Sequence, residues 1–328
     1  MKAFFRLIRW KNLLIVAVTM ILMRYAILAP LINKVCVILR NGESRETIPM
    51  VLQFPWYNFI LLIAATLFIT AGGYVINDYF DIKTDLINKG KVIVGTKIPR
   101  RQAMMWHNIF NILGVALGFY ISYQAGYIWL GIIFLIVSGL LYFYSASYKR
   151  QFLIGNIVVA ILTAMVPMLV VLYEWPALFR FYKINAVSIP DINFIFYWIG
   201  GFALFAFLTT LTREIIKDIE DFEGDLAFGR NTVPIVIGVL SAKIVSVCLI
   251  VLTITLLYLT WHFFVNDKIT LIYLNTLIVL PLLFTIYKVI RSENKKQLHS
   301  ASSIMKLVML SGILYSVVVK LILTWNLY

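Results

Sequence analysis

Six aspartates in two short segments are the residues of this chain best suited to chemistry. Each segment carries three of them, spaced at i, i+3 and i+7: Asp78, Asp81, Asp85, Asp218, Asp221 and Asp225. On an α-helix of 3.6 residues per turn, this spacing places all three side chains on one face. Carboxylates on one face repel one another, so we expect a cation between them. The segments contain no His or Cys, which favours the oxygen-binding ions Mg²⁺ or Ca²⁺ over zinc.

The two acidic segments are related by a constant offset of 140 residues. This offset predicts an internal repeat whose halves each present one acidic face on the same side of the protein. A single acidic cluster is often only a solvated helix end, whereas two matching clusters favour a shared site. Mg²⁺ in proteins is typically bound by one or two carboxylates together with substrate phosphates. We therefore interpret the segments as opposite walls of a diphosphate site.

A diphosphate site also needs basic side chains for the phosphate charge that metal ions leave uncovered. Lys and Arg near the two segments could supply it, although each is also typical of a loop flanking a membrane span. These candidates are Lys83, Lys89, Lys91, Arg100, Lys149, Arg150, Arg213 and Lys217. The segment 144–150 is notable because it combines hydroxyl groups with Lys149 and Arg150. Lysine binds phosphate as a point charge, and arginine can bind it through two parallel hydrogen bonds.

The composition indicates which elements position these residues. Of the 328 residues, 62% are hydrophobic and 13% are charged, whereas soluble domains carry roughly 25% charged residues. Nine apolar stretches are each long enough to cross a bilayer as a helix. They lie at about 12–32, 55–77, 102–122, 126–146, 152–173, 193–213, 235–263, 269–290 and 303–325. The first stretch is long and lacks a clear cleavage site, so we expect it to be retained. The sequence predicts an all-α, multi-pass membrane protein with a single domain over 1–328.

The basic residues predict the orientation of the helices. Of the 29 Lys and Arg residues, 21 fall at the N-terminus or in the connections on that side, which include both acidic segments. Under the positive-inside rule this places the N-terminus and the acidic segments in the cytoplasm and the C-terminus outside. The formal charge of +14 is then accounted for by topology, so we expect no nucleic-acid partner. The outer connections 33–54 and 174–192 are long, and we expect short interfacial helices in them.

The acidic segments resemble the paired motifs of the UbiA superfamily of intramembrane prenyltransferases, N-D-x-x-D-x-x-x-D and D-x-x-D-x-x-x-D. Here they read NDYFDIKTD and KDIEDFEGD. Further matches extend along most of the chain: Arg9, Asn12, Tyr144, Ser145, Lys149, Gly155, Asn156 and 229–234. The resemblance implies a helical bundle around a central cavity, a lateral opening for lipid, and two Mg²⁺ ions on a prenyl diphosphate. One departure is the segment 88–95, which lacks both prolines of the family's N-x-P-x-R-P and offers Lys91 as the nearest basic substitute.

The resemblance also implies roles for individual residues. The implied metal ligands are Asn77, Asp78, Asp81, Asp85, Asp218, Asp221 and Asp225. The implied ligands of the prenyl diphosphate are Arg9, Asn12, Lys83, Lys91, Ser145, Lys149, Arg150 and Lys217. Asp218, Asp221 and Lys149 are the residues we expect to act in catalysis. Breaking an allylic carbon–oxygen bond places negative charge on the departing diphosphate, which Mg²⁺ with Lys and Arg can stabilise.

The acceptor of the prenyl group is open at the level of sequence. The segment 213–225 is most similar to the branch that transfers geranylgeranyl to geranylgeranylglyceryl phosphate, in which an alcohol attacks. Cations such as Arg9, Arg100 or Arg101 would suit the phosphate of that acceptor. Homogentisate and chlorophyllide branches carry a related E-G-D ending, and an aromatic acceptor could use Asp218 as a base.

Two other classes of function also fit parts of the pattern. A cation transporter could use the aspartates as an ion site, but such sites usually lie near the bilayer midplane, whereas these acids lie at the ends of spans. A catalytically inactive protein that only binds isoprenoid lipid is the other possibility. No protein partner is implied by the sequence.

Overall fold

A computed structural model describes residues 1–41, 44–90 and 92–325. Within these residues, nine helical segments are long and apolar enough to cross a membrane, which confirms the predicted all-α class. We number them spans 1 to 9: Trp10–Asn33, Trp56–Phe80, Arg100–Gln124, Ile128–Arg150, Ile154–Asn185, Phe194–Glu220, Val239–Val265, Lys268–Ile290 and Lys295–Trp325. Three of them include π-helical turns: Met23–Leu28, Trp261–Val265 and Leu274–Val279.

Both acidic segments lie where a span stops and a short helix begins. Span 2 ends at Phe80 and is followed by the helix Ile82–Lys89; span 6 ends at Glu220 and is followed by the helix Phe222–Ala227. The junction residue is the middle aspartate of each triplet, Asp81 or Asp221, and both have nearly the same backbone angles (φ −90°, ψ 2° and φ −96°, ψ 10°).

The expectation that each triplet occupies one face of a continuous helix is therefore wrong. Aspartate competes with the backbone for hydrogen bonds and is a weak helix former, which is consistent with a break at this position. After the break the two short helices, Ile82–Lys89 and Phe222–Ala227, contact each other. We call the end of the bundle where they meet the acidic end.

At the opposite end, the connection 33–54 forms a β-hairpin and not the predicted interfacial helix. Strands β1 (Cys36–Asn41) and β2 (Ser44–Pro49) pair antiparallel, with Val37 opposite Ile48. The β-branched residues in both strands favour this conformation. Span 5 continues to Asn185, so the first part of 174–192 is an extension of that span rather than a separate interfacial helix.

A buried ion pair attaches the segment before span 2 to the bundle. Arg24 on span 1 and Glu174 on span 5 are both almost fully buried, with Nη2 and Oε2 3.3 Å apart. Oε1 of Glu174 accepts hydrogen bonds from the backbone N–H groups of Gln53 and Phe54 at 2.6 and 2.9 Å, and Arg24 donates to the carbonyl of Phe54. Because a buried charge is costly unless it is paired, this contact fixes the segment before span 2 on the bundle.

Candidate active site

Asp81 is the centre of the cluster at the acidic end. Its Oδ1 lies 2.7 Å from Nζ of Lys149 and 2.7 Å from Nη2 of Arg230, and the residue is only 8% exposed. Burial acts to raise the pKa of Asp81, but the charges of Lys149 and Arg230 outweigh it, and the pKa is lowered from its ordinary value. Asp81 therefore stays ionised in its buried position.

Arg230 joins the two acidic segments. Its Nη2 donates to Asp81 and to Oγ1 of Thr84, both at 2.7 Å, while its Nη1 donates to Oδ1 of Asp225 at 3.2 Å. Asp81 and Asp225 come from different segments, so a single guanidinium shows that the two segments face one site. Arg230 lies in the stretch 229–234 that resembles the UbiA superfamily, but the sequence analysis did not assign Arg230 to the site.

Asp225 is the most deeply buried acid of the second segment, with 3% exposure. Burial raises the pKa of its carboxyl to about 6, although Arg230 opposes this rise. One guanidinium shared with Asp81 therefore leaves the charged form of Asp225 incompletely stabilised. A further cation beside this carboxylate would be bound favourably.

Lys149 is held over the first segment by the turn between spans 4 and 5. Besides Asp81, its Nζ contacts Oδ1 of Asn77 at 3.2 Å. The turn is braced by Gly155 at the start of span 5, where a Cβ atom would lie 2.7 Å from the Cα of Lys149 and 2.9 Å from the carbonyl oxygen of Tyr148. Only glycine allows this approach, so Gly155 sets the position of the Lys149 backbone.

Span 1 contributes a cation from the other side. Nη2 of Arg9 lies 2.9 Å from Oδ1 of Asp78, and its guanidinium carbon lies 4.8 Å from the ring centre of Tyr74. Asn12 donates to the hydroxyl of Tyr74 at 3.3 Å. Arg9 has a left-handed backbone (φ 49°) between the helix Lys2–Leu7 and span 1, a conformation uncommon for residues other than glycine.

Asp218 faces span 5. Its Oδ2 accepts a hydrogen bond from Nδ2 of Asn156 at 2.8 Å. Asn156 is one of the residues that match the UbiA superfamily, but the sequence analysis did not assign it to the site. Half-buried Tyr144 lies within electrostatic reach of Asp81, Asp218 and Glu214, so it too borders both segments. The sequence alone does not distinguish Asn156 and Tyr144 from other polar residues as members of the site, because an amide and a phenol carry no charge.

The remaining predicted residues fall into two groups. Asp85 lies in the first turn after the break, where its backbone N–H donates to the carbonyl of Asp81 at 2.8 Å, and Asp221 lies 3.8 Å from Nζ of Lys295. No described side-chain contact brings Lys83, Arg150 or Ser145 to the cluster, although the carbonyl of Arg150 accepts a hydrogen bond from the backbone N–H of Asn231, next to Arg230, at 2.8 Å. Lys83 and Arg150 are exposed, and the buried hydroxyl of Ser145 donates to the carbonyl of Leu141. Lys91 lies outside the described residues.

The donor set at the acidic end fits Mg²⁺ in its chemistry. It consists of carboxylate and amide oxygens, which are the ligands that Mg²⁺ prefers, and Arg230 brings carboxylates of both segments together. In the part of the chain that the structure describes, no three His, Cys, Asp or Glu side chains are arranged to hold one ion. Lys149 and Arg230 bind the same carboxylates that an ion would use.

Comparison with known proteins assigns this fold and site to a class of enzyme. The model of the UbiA prenyltransferase family matches residues 51–310. The chain therefore belongs to the UbiA prenyltransferase family, and it is a prenyltransferase and a multi-pass membrane protein.

Particular relatives narrow the comparison. The chain is 33% identical over 259 residues to the digeranylgeranylglyceryl phosphate synthase of Methanosphaera stadtmanae, covering 77% of this chain and 85% of that one. It is similar to a solved structure concerning digeranylgeranylglyceryl phosphate synthase in membranes, with a TM-score of 0.61, 26% identity, and 96% and 98% of the two chains covered. A UbiA homolog from Archaeoglobus fulgidus bound to DMAPP and Mg²⁺ has the same fold, with a TM-score of 0.52, 18% identity, and 96% and 99% covered.

Proposed function

We propose that this prenyltransferase transfers a geranylgeranyl group from its diphosphate to the hydroxyl of geranylgeranylglyceryl phosphate. We further propose that the divalent metal it uses is Mg²⁺ and that two ions bind. The observation that carries the site assignment is the bridge of Arg230 between Asp81 and Asp225. The names of the relatives support the acceptor, since the sequence similarity covers most of both chains.

The acidic residues would hold the metal and the basic residues the diphosphate. The proposed metal ligands are Asn77, Asp78, Asp81, Asp85, Asp218, Asp221 and Asp225. Mg²⁺ bound to them would neutralise the charge that develops on the departing diphosphate. Lys149 and Arg230, released from Asp81, would donate to the phosphate oxygens, Lys149 as a point charge and Arg230 through two N–H groups.

The bond changes of the reaction balance within this site. The bond between carbon 1 of the prenyl chain and the diphosphate oxygen breaks, and its electron pair leaves with the diphosphate. The acceptor hydroxyl oxygen forms the new bond to carbon 1 and loses its proton. We assign Oδ1 of Asp218 as the proton acceptor, because Asn156 holds Oδ2 at 2.8 Å; Oδ2 is then the oxygen that would bind metal.

The same account extends to organisation and orientation. We infer a single domain over 1–328 whose two halves repeat with an offset of about 140 residues. The matching helix breaks at Asp81 and Asp221 support this repeat. We place the acidic end and the N-terminus in the cytoplasm and the C-terminus outside, on the distribution of Lys and Arg.

The direct test of this function uses purified protein with Mg²⁺, geranylgeranyl diphosphate and geranylgeranylglyceryl phosphate. We expect the ether product and released diphosphate in equal amounts. Diphosphate release without an ether product would mean that the chain only hydrolyses the donor. No consumption of the donor would contradict the proposed reaction.

Replacing Arg230 with Lys is expected to lower kcat by about tenfold to a hundredfold. A lysine keeps the charge but cannot reproduce the planar set of donors that reaches Asp81, Thr84 and Asp225 together. Steady-state kinetics checks this, with Arg291→Lys, an exposed arginine beyond span 8, as the matched control. Full activity of Arg230→Lys would show that only charge matters at this position.

Replacing Gly155 with Ala is expected to lower kcat by about tenfold without unfolding the bundle. The added Cβ would meet the backbone of Tyr148 and Lys149, so the turn must shift and take Nζ of Lys149 away from Asp81. Gly139 is a matched control, because a Cβ there meets nothing within 4 Å. If Gly155→Ala and Gly139→Ala are equally active, Gly155 does not position Lys149.

A further inference from the structure

A second row of charged residues runs along span 6 beside the acidic row. Arg213, Lys217 and Glu220 follow one another at i, i+4 and i+7, and we call them the basic row although it ends in Glu220. The acidic row, Glu214 and Asp218, lies one residue further along. One residue corresponds to a rotation of 100° about a helix axis, so the two rows occupy neighbouring faces. The basic row therefore lies next to Asp218 but points away from span 5.

The basic row faces span 9. Nδ1 of His299 lies 2.9 Å from Oε1 of Glu220, and deeper in the bundle Gly312 lies against the ring of Phe205. These two contacts define antiparallel helices in register, and this register places Lys306 opposite Arg213. The positive charges of Arg213, Lys217 and Arg9 and the negative charge of Glu220 all act on Lys306, which agrees with this placement of Lys306.

Two of the nearby carboxylates of span 6 have other partners: Glu220 lies 2.9 Å from Nδ1 of His299, and Asp218 accepts a hydrogen bond from Asn156 at 2.8 Å. Glu214 is shared, with Oε1 2.7 Å from Nη1 of Arg213 and Oε2 3.3 Å from Nζ of Lys217. Within the described ranges, Lys306 has no carboxylate at ion-pair distance, and Nε of Arg213 is buried without a hydrogen-bond partner. Charges inside membrane spans are costly and mark functional sites. Within the described residues, Arg213, Lys217 and Lys306 therefore share one carboxylate at ion-pair distance, Glu214.

We propose that Arg213, Lys217 and Lys306 bind the phosphate monoester of the acceptor lipid. This inference rests on the proposed function and adds the site that selects the acceptor. A phosphate monoester carries a charge of about −1.5 to −2 at pH 7 and has three acceptor oxygens, which match three basic side chains. Bound there, the phosphate places the rest of the glycerol beside Asp218, where its hydroxyl is to be deprotonated.

The geometry favours this cluster over the other cations that sequence suggested for the acceptor phosphate. Arg9 is engaged with Asp78 at 2.9 Å. Arg100 and Arg101 line an open groove of about 500 Å³ with Met104 and Met105, and no described contact joins them to the acidic residues of span 6. Aromatic acceptors of the hydroxybenzoate or homogentisate type offer one carboxylate with a single negative charge, whereas a phosphate monoester carries about −1.5 to −2, so the cluster favours the phosphorylated acceptor.

The test compares Lys306→Met with wild type, using geranylgeranylglyceryl phosphate and its dephosphorylated alcohol as acceptors. We expect KM for the phosphorylated acceptor to rise about tenfold or more, as for loss of a charged hydrogen bond. KM for geranylgeranyl diphosphate and turnover of the alcohol should stay near the wild-type values. Lys306→Arg should retain most of the affinity, and Lys320→Met, at an exposed lysine on the same span, is the matched control.

Each outcome decides the proposal. A rise in KM for geranylgeranyl diphosphate instead would assign the cluster to the donor, and an equal effect on both acceptors would exclude recognition of the phosphate. If wild type makes the ether and Lys306→Met has an unchanged KM, the inference fails while the proposed function stands. If wild type makes no ether product from the phosphorylated acceptor, both fail. An unchanged KM for the donor shows that the variant is folded.

Discussion

Removal of divalent metal with EDTA is expected to stop turnover completely, and added Mg²⁺ is expected to restore it. The metal contributes several kcal/mol of stabilisation to the departing diphosphate, and without it the carboxylates would repel the substrate. Lys149 and Arg230 would then stay on Asp81 and Asp225, as in the described structure. Diphosphate release, measured with and without EDTA and after adding back Mg²⁺, checks this prediction.

The control for metal removal is the thermal stability of the same sample. We expect a small change in melting temperature, because the contacts of Lys149 and Arg230 with Asp81 neutralise much of the charge of the cluster on their own. Activity that persists in EDTA would contradict the metal assignment. Unfolding in EDTA would indicate that the ion has a structural role.

Replacing Asp225 with Asn is expected to lower kcat by about a hundredfold to a thousandfold while the protein stays folded. The amide keeps the shape of the side chain but loses the charge that would attract the metal ion. Burial raises the pKa of Asp225 to about 6, so this position accepts a neutral side chain more readily than most positions occupied by a carboxylate. Steady-state kinetics together with a melting curve separates the loss of function from a loss of stability.

Asp191→Asn is the matched control for this substitution. Asp191 is exposed in the connection between spans 5 and 6, where its Oδ1 accepts a hydrogen bond from the backbone N–H of Asn193, and an amide oxygen can do the same. We expect it to leave kcat unchanged. If Asp225→Asn is as active as Asp191→Asn, Asp225 does not bind metal; if it unfolds, its role is structural.

The features predicted correctly from sequence depend on patterns that are long or repeated. Nine spans follow from runs of apolar residues, because every backbone polar group in a bilayer must be paired within a helix. The convergence of Asp81 and Asp225 follows from two matching motifs at the same ends of spans 2 and 6. In the structure their shared partner Arg230 joins the two segments.

The features that sequence missed depend on local competition or on contacts between distant residues. The helix breaks at Asp81 and Asp221 are local choices that the i, i+3, i+7 pattern could not reveal, since the pattern assumes a continuous helix. The strands Cys36–Asn41 and Ser44–Pro49 lie in a connection without a strong periodic signal. Arg230 and Lys306 are single cations among many, and only packing shows which charged side chains lie near them.

The most direct test of the central claim is a competition between acceptors. Purified protein receives Mg²⁺ and geranylgeranyl diphosphate with equal amounts of geranylgeranylglyceryl phosphate, a hydroxybenzoate, a naphthoate and homogentisate, and the products are identified by mass spectrometry. We expect the ether of geranylgeranylglyceryl phosphate to be the dominant product. A prenylated aromatic ring as the dominant product, with no ether formed, would contradict the account.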